Sequence, residues 1–132
     1  MEYQCRNWYY FCWLSGDHIV EQHLHNFDVA NWIIGTHPIS ALGIGGRQVR
    51  TGPEYGNIYD HFAVDYEYPN NVHILSMCRQ HTNTDVKIGE FIVGTKGKCD
   101  PSGEIIGEKG WKFKGDKNEP NPYVQEHTCL LY

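Results

Sequence analysis

The stretch from Gly16 to Asp28 (G-D-H-I-V-E-Q-H-L-H-N-F-D) gathers imidazoles and carboxylates more densely than any other part of the chain. On a helix, Glu21 and His25 lie four residues apart, so their side chains meet. A carboxylate beside an imidazole selects its tautomer and favours its protonated form, which suits an acid/base catalyst near neutral pH. His18 and Asp28 stand three residues outside that pair on the same stripe. A solvated helix face with incidental ion pairs accounts for the spacing equally well.

Histidine and glutamate on one face are also ligand types for zinc or iron. The string is not H-E-x-x-H, however, and it misses H-x-x-E-H by one residue because Gln22 precedes His23. His23 also points about 200° of helix rotation away from Glu21. No metal ligand set is expected. Two glycine-rich strings, Gly43-Ile44-Gly45-Gly46-Arg47 and Gly94-Thr95-Lys96-Gly97-Lys98, resemble phosphate loops only superficially and read as turns or bulges. No G-x-S-x-G elbow occurs, and no cysteine neighbours a plausible base.

The elements that must position these groups follow from periodicity. Between Gly16 and Gly35 the pattern is that of one helix, with Val20, Leu24, Phe27, Asn31 and Ile34 on its inner stripe and Gly35 with His37-Pro38 as its stop. Arg6 to Leu14 is aromatic without a clean period and reads as a lead-in segment. After Pro38 the signals become those of strands: Ile39 to Val49, a hairpin around Asn70-Asn71, Lys87 to Thr95, Ile105-Ile106 and Trp111 to Lys114. A two-residue primed turn at Asn70-Asn71 would set Tyr66 opposite Leu75 and Val64 opposite Met77 on one apolar face. It would set Asp65 opposite Ser76 and Ala63 opposite Cys78 on the other. Gly115 to Pro122 reads as a loop, and Tyr123 onward as the start of a helix. The fold class expected is α+β in a single domain over 1–132, a mostly antiparallel sheet covered by one principal helix.

Bulk properties exclude several classes. The chain has 132 residues, 40% apolar and 20% charged, enough for a folded core. Its formal charge is −5 and its 11 basic residues are scattered, so no basic stripe tracks a nucleic-acid backbone. No apolar run approaches a membrane span. Five cysteines without a C-x-x-C pair argue for free thiols, not disulfides or thiolate zinc.

The string from Gly16 to Asp28 resembles the helix motif G-G-x-x-x-D-x-G-x-H-x-x-D in the C-terminal domain of the glucose–fructose oxidoreductase / inositol dehydrogenase / rhizopine-catabolism (Gfo/Idh/MocA) family. Glu21 takes the Asp position, His25 the His position and Asp28 the trailing Asp, while His23 stands where glycine is usual. The resemblance continues through R-Q-V-R-T-G-P-E-Y-G-N-I-Y-D-H-F-A-V-D-Y-E-Y-P-N-N-V and E-F-I-V-G-T-K-G to P-Y-V-Q-E-H. It covers nearly the whole chain and is closest to a bacterial subgroup, often exported, so the compartment stays open. The resemblance implies a two-domain enzyme in which a separate N-terminal dinucleotide-binding domain holds NAD or NADP. His25 would be the acid/base residue oriented by Glu21, the substrate a sugar, polyol or derivative, and the open sheet face an oligomer contact. No Rossmann fingerprint lies in the chain, so no cofactor-binding residue is expected in it and no turnover by it alone. The last residues fall inside a helical pattern, as in a piece of a longer protein. Asp28, His18, Arg47, Arg50 and Tyr55 are the candidate substrate-binding residues, with Asp60 and His61 following, because a polyhydroxylated ligand needs many fixed donors and acceptors. Two other readings compete. One is a non-catalytic binding or dimerisation module of the same fold. The other is an NAD-dependent, redox-neutral glycoside-cleaving domain.

Overall fold

The computed structural model describes residues 1–100, 103–115 and 118–130. These fall into two compact units, Met1–Ile88 and Gly89–Tyr132. The architecture is α+β, and every strand pairing in it is antiparallel.

In the first unit the aromatic lead-in is helical in short pieces: α1 (Glu2–Arg6), a 3₁₀ turn (Trp8–Tyr10) and α2 (Cys12–Ser15). A sharp corner follows, with Gly16 at φ 72° and Asp17 at φ 77°. Glycine accepts that conformation freely, whereas Asp17 needs support. Its backbone N–H donates to Ser15 Oγ at 3.0 Å, and its carboxylate accepts the His18 N–H at 2.6 Å and the Tyr59 N–H at 2.8 Å.

The single helix expected from Gly16 to Gly35 is two, α3 (His18–Glu21) and α4 (Leu24–Ile34), separated at Gln22–His23. At the break the His23 N–H reaches back five residues to His18 O, a widened turn. That rotation points His23 at the sheet, where its Nε2 lies 2.7 Å from Ser76 Oγ and its ring meets Phe27 edge-on. A buried polar contact outweighs the continuity of a few helical hydrogen bonds. The expected inner stripe is therefore only partly covered: Phe27, Asn31 and Ile34 are half-buried, while Val20 and Leu24 are exposed.

The sheet of this unit runs β1 (Ser40–Gly46), β2 (His61–Tyr68), β3 (Val72–Arg79), in that order. The hairpin is where expected, and both Asn70 and Asn71 have positive φ, at 65° and 59°. Its register is one residue away from expectation: Tyr66 faces Ile74, Val64 faces Ser76, Asp65 faces Leu75 and Ala63 faces Met77. The physical reason is Pro69. A two-residue turn would make Pro69 and Val72 the closing hydrogen-bonded pair, and proline has no N–H to give. Pro69 joins the turn instead, and Tyr68 with Val72 becomes the last pair. A one-residue slip changes partners and faces together. Phe62, Val64, Tyr66 and Tyr68 now share the covered face with Ile74, Ser76 and Cys78. Leu75 and Met77 move to the open one.

The Gly43–Gly46 string is not a turn, because it lies within β1. Cβ atoms at Gly43 and Gly45 would press against Val64 and Phe62 on β2. The helix α4 closes the covered face through the Phe27–Tyr66 ring contact, with centroids 4.7 Å apart, and a Tyr68 Oη–Asn31 hydrogen bond of 2.7 Å. Only Ile58 and Tyr68 are buried apolar residues among those described, against five buried polar ones: Ser15, Asp17, His18, Asp60 and Ser76. Hydrogen bonds therefore specify much of this interior.

The second unit is a four-stranded meander, β4 (Ile92–Gly94), β5 (Gly97–Asp100), β6 (Glu104–Gly107) and β7 (Trp111–Lys112), followed by α5 (Pro122–Leu130). The strand expected from Lys87 is confined to Ile92–Gly94, and Thr95-Lys96 turns the chain as expected. The loop expected from Gly115 to Pro122 ends at Asn121, and its Asp116 and Lys117 lie outside the described residues.

Candidate functional site

Chemistry-bearing side chains gather in two places within the first unit, the corner that leads into α3 and the start of β2. At the corner His18 is almost fully buried, 2% exposed, with its ring 5.1 Å from that of Phe62. Its Nδ1 lies 3.0 Å from Asp17 Oδ1 but off the line of a hydrogen bond. Neither ring nitrogen has a hydrogen-bond partner, and Glu21 Oε2, one turn along α3, is likewise buried without one. Buried polar atoms are nearly always satisfied, so this turn offers both a donor/acceptor and an anion to an incoming group.

Around these two, burial followed by the charge of Glu21 pushes the Tyr9 phenol up to about 12, against the hydrogen bond from Gln80, which donates to Tyr9 Oη at 3.0 Å. Burial, with the charge of Asp17, likewise pushes the Cys78 thiol up to about 11. Tyr9 and Cys78 are thus neutral donors at physiological pH.

His25 stands on the first turn of α4 with its side chain exposed. The helix break separates it from Glu21, and no hydrogen bond or ion pair joins the two among the described residues. The four-residue contact expected on an unbroken helix is thus absent in this conformation. Asp28 is exposed on α4, at the rim of a shallow groove with Trp32 and His37.

The other expected substrate residues come together elsewhere, around Asp60. This carboxylate is fully buried, and Oδ2 accepts the backbone N–H groups of Gln48, Val49 and Arg50 at 2.7, 2.7 and 2.9 Å. Burial alone would raise its pKa, but these donors and the adjacent His61 hold the carboxyl well below the usual carboxylate range. Arg47 donates twice to the Arg50 carbonyl, and Arg50 donates to the Gln80 carbonyl and to Tyr10 Oη. The Arg50 guanidinium stacks over Tyr55 and Tyr10, 5.0 and 5.5 Å from their ring centres. Arg47, Arg50 and Tyr55 are therefore committed to holding the turn before β2.

Asp17, Asp60, Ser76 and Gln80 are the polar anchors that sequence reading did not single out as such. Asp17, at an N-cap position behind glycine, carried a local signal; the others depend on tertiary contacts.

A family model described as oxidoreductase family, C-terminal alpha/beta domain, matches residues 2–127. No curated protein matches the chain.

Proposed function

Because the chain belongs to the Gfo/Idh/MocA oxidoreductase family as its C-terminal alpha/beta domain, we propose that it is the substrate-side, acid/base half of an NAD(P)-dependent oxidoreductase acting on a sugar, polyol or derivative. The observation that carries this reading is the turn from His18 to Glu21, where the buried His18 ring nitrogens and Glu21 Oε2 make no hydrogen bond and His18 Nδ1 faces only the Asp17 carboxylate, followed by the exposed imidazole of His25. A polyhydroxylated substrate supplies hydroxyl groups that both donate and accept, which is what His18 and Glu21 need. His25 takes the proton of the reacting hydroxyl, and Glu21 supports its charge once substrate draws the two together. Asp28 offers a further acceptor on the same helix.

The described residues do not fit the dinucleotide itself. Their strands pair only antiparallel, and no β–α–β unit with a glycine-rich turn occurs among them. In this reading hydride acceptance falls to a separate dinucleotide-binding domain. In the full-length enzyme, His25→Ala lowers kcat/KM for nicotinamide reduction by about 10²–10⁴-fold, the range of a general base. Turnover close to that of the unsubstituted enzyme would remove His25 from the mechanism.

The open face of the first unit favours self-association as well. Leu42, Ile44, Leu75 and Met77 share it at 81, 76, 68 and 67% exposure. Ala63 and Asp65 of β2 lie between them, and the His73–Asp65 and Ser40–Glu67 pairs share the same face, a mixture of apolar and polar groups that an interface accommodates.

A further inference from the structure

Asp60, His61 and His81 each bring one potential ligand atom within 4.8 Å of the others, and His61 Nδ1 and His81 Nε2 both face Asp60 Oδ1. We propose that these three residues form a binding site for a divalent transition-metal cation of the zinc and iron(II) class, separate from the His18–His25 region. Two imidazoles and one carboxylate, with room for water or another ligand, are a donor set those ions accept.

The geometry is close to what a bound ion needs. Ligand atoms each held about 2.0–2.2 Å from one zinc stand about 3.3 Å apart in a tetrahedral arrangement. Asp60 Oδ1 lies 3.4 Å from His81 Nε2, already at that spacing, and 2.7 Å from His61 Nδ1, which must open by roughly half an ångström. The two imidazole rings stand nearly perpendicular, at 83°, with centres 5.9 Å apart.

The surroundings favour a cation. No lysine or arginine forms an ion pair with the fully buried Asp60 among the described residues; the histidines are its only side-chain ion-pair partners. The three backbone N–H groups on Oδ2 lock the carboxylate while leaving Oδ1 directed at the histidines. Such outer contacts orient metal-binding carboxylates. His61 is 38% exposed at its side chain and His81 19%, so the site has a route for the ion and space for a further ligand. His61 begins β2 and His81 follows β3, and the antiparallel pairing of those strands brings them together.

The test titrates Co²⁺, and separately Zn²⁺, into chelator-treated full-length protein. The expected result is one equivalent bound, with a visible d–d absorption from cobalt in a site of low coordination number. His61→Ala and His81→Ala should each weaken that binding by at least about tenfold, in line with loss of ligand or outer-shell contacts. His73→Ala, which removes an exposed histidine paired to Asp65, should leave it unchanged. Circular dichroism of each variant separates lost binding from lost folding. His81 lies outside the strands, so its substitution provides the informative case if His61→Ala fails to fold. Wild-type binding no tighter than that of the His61→Ala/His81→Ala double variant would overturn the site. So would folded single variants that bind like wild type.

Discussion

At the scale of single residues, burial decides which groups can react. Cys78 sits on the covered face of β3, opposite Phe62, and its thiol is pushed from 9.0 to about 11 by burial and by the charge of Asp17. The folded state thus holds the neutral thiol more tightly than the unfolded chain does. That contribution to stability is present below pH 9 and disappears as pH rises through about 11. Alkylation of native protein near pH 8 should label the exposed Cys5 and Cys129 well before Cys78, because the thiolate is the nucleophile. Peptide mapping after timed exposure to iodoacetamide checks this. Cys78 labelled as early as Cys5 would mean that its environment is more open than the packing indicates.

At the scale of elements, turns and corners carry more of the structural specification than the helices do. The turn before β2 includes Gly56 at φ 56° and ψ −130°, a conformation that side chains avoid, and a Cβ there would collide with the Tyr10 carbonyl. Asn57 N–H donates to that same carbonyl at 3.0 Å, and Cys12 N–H donates to Asn57 Oδ1 at 2.9 Å. The lead-in helices and this turn therefore hold each other. Gly56→Ala should destabilise the protein by roughly 2–4 kcal/mol, from backbone strain plus overpacking. Gly46→Ala, whose added carbon meets only the His61 ring at ordinary distance, should cost far less. Chemical denaturation of both variants measures the difference, and equal midpoints would contradict the assigned geometry.

At the scale of the whole molecule, the open sheet face is the feature that a solitary domain explains least well. Its apolar residues Leu42 and Ile44 lie on β1 and Leu75 and Met77 on β3, on either side of β2. Self-association through it predicts that the full-length protein is oligomeric by light scattering. Leu42→Asp or Met77→Asp should shift it to smaller species without loss of secondary structure, since a charge buried at an apolar interface is unpaired. An unchanged oligomeric state in both would assign assembly to another surface.

Much of this was legible in the order of residues. The α+β class, the antiparallel hairpin with positive-φ asparagines, the stop at Gly35 and the family all follow from local periodicity, turn chemistry and motif order, which depend on neighbours in the chain. Three things were not legible. The helix breaks at Gln22–His23 because His23 finds Ser76, 53 residues away. The hairpin register turns on whether Pro69 sits in the strand or in the turn, a choice that shifts every partner by one. Asp60 gathers the 48–50 backbone, His61 and His81 into one cluster. For the helix break and the Asp60 cluster the deciding term is a polar contact between residues distant in sequence; for the register it is a hydrogen bond that Pro69 is unable to give. Local patterning determines which elements exist, and only the tertiary structure decides which polar groups those elements bring face to face.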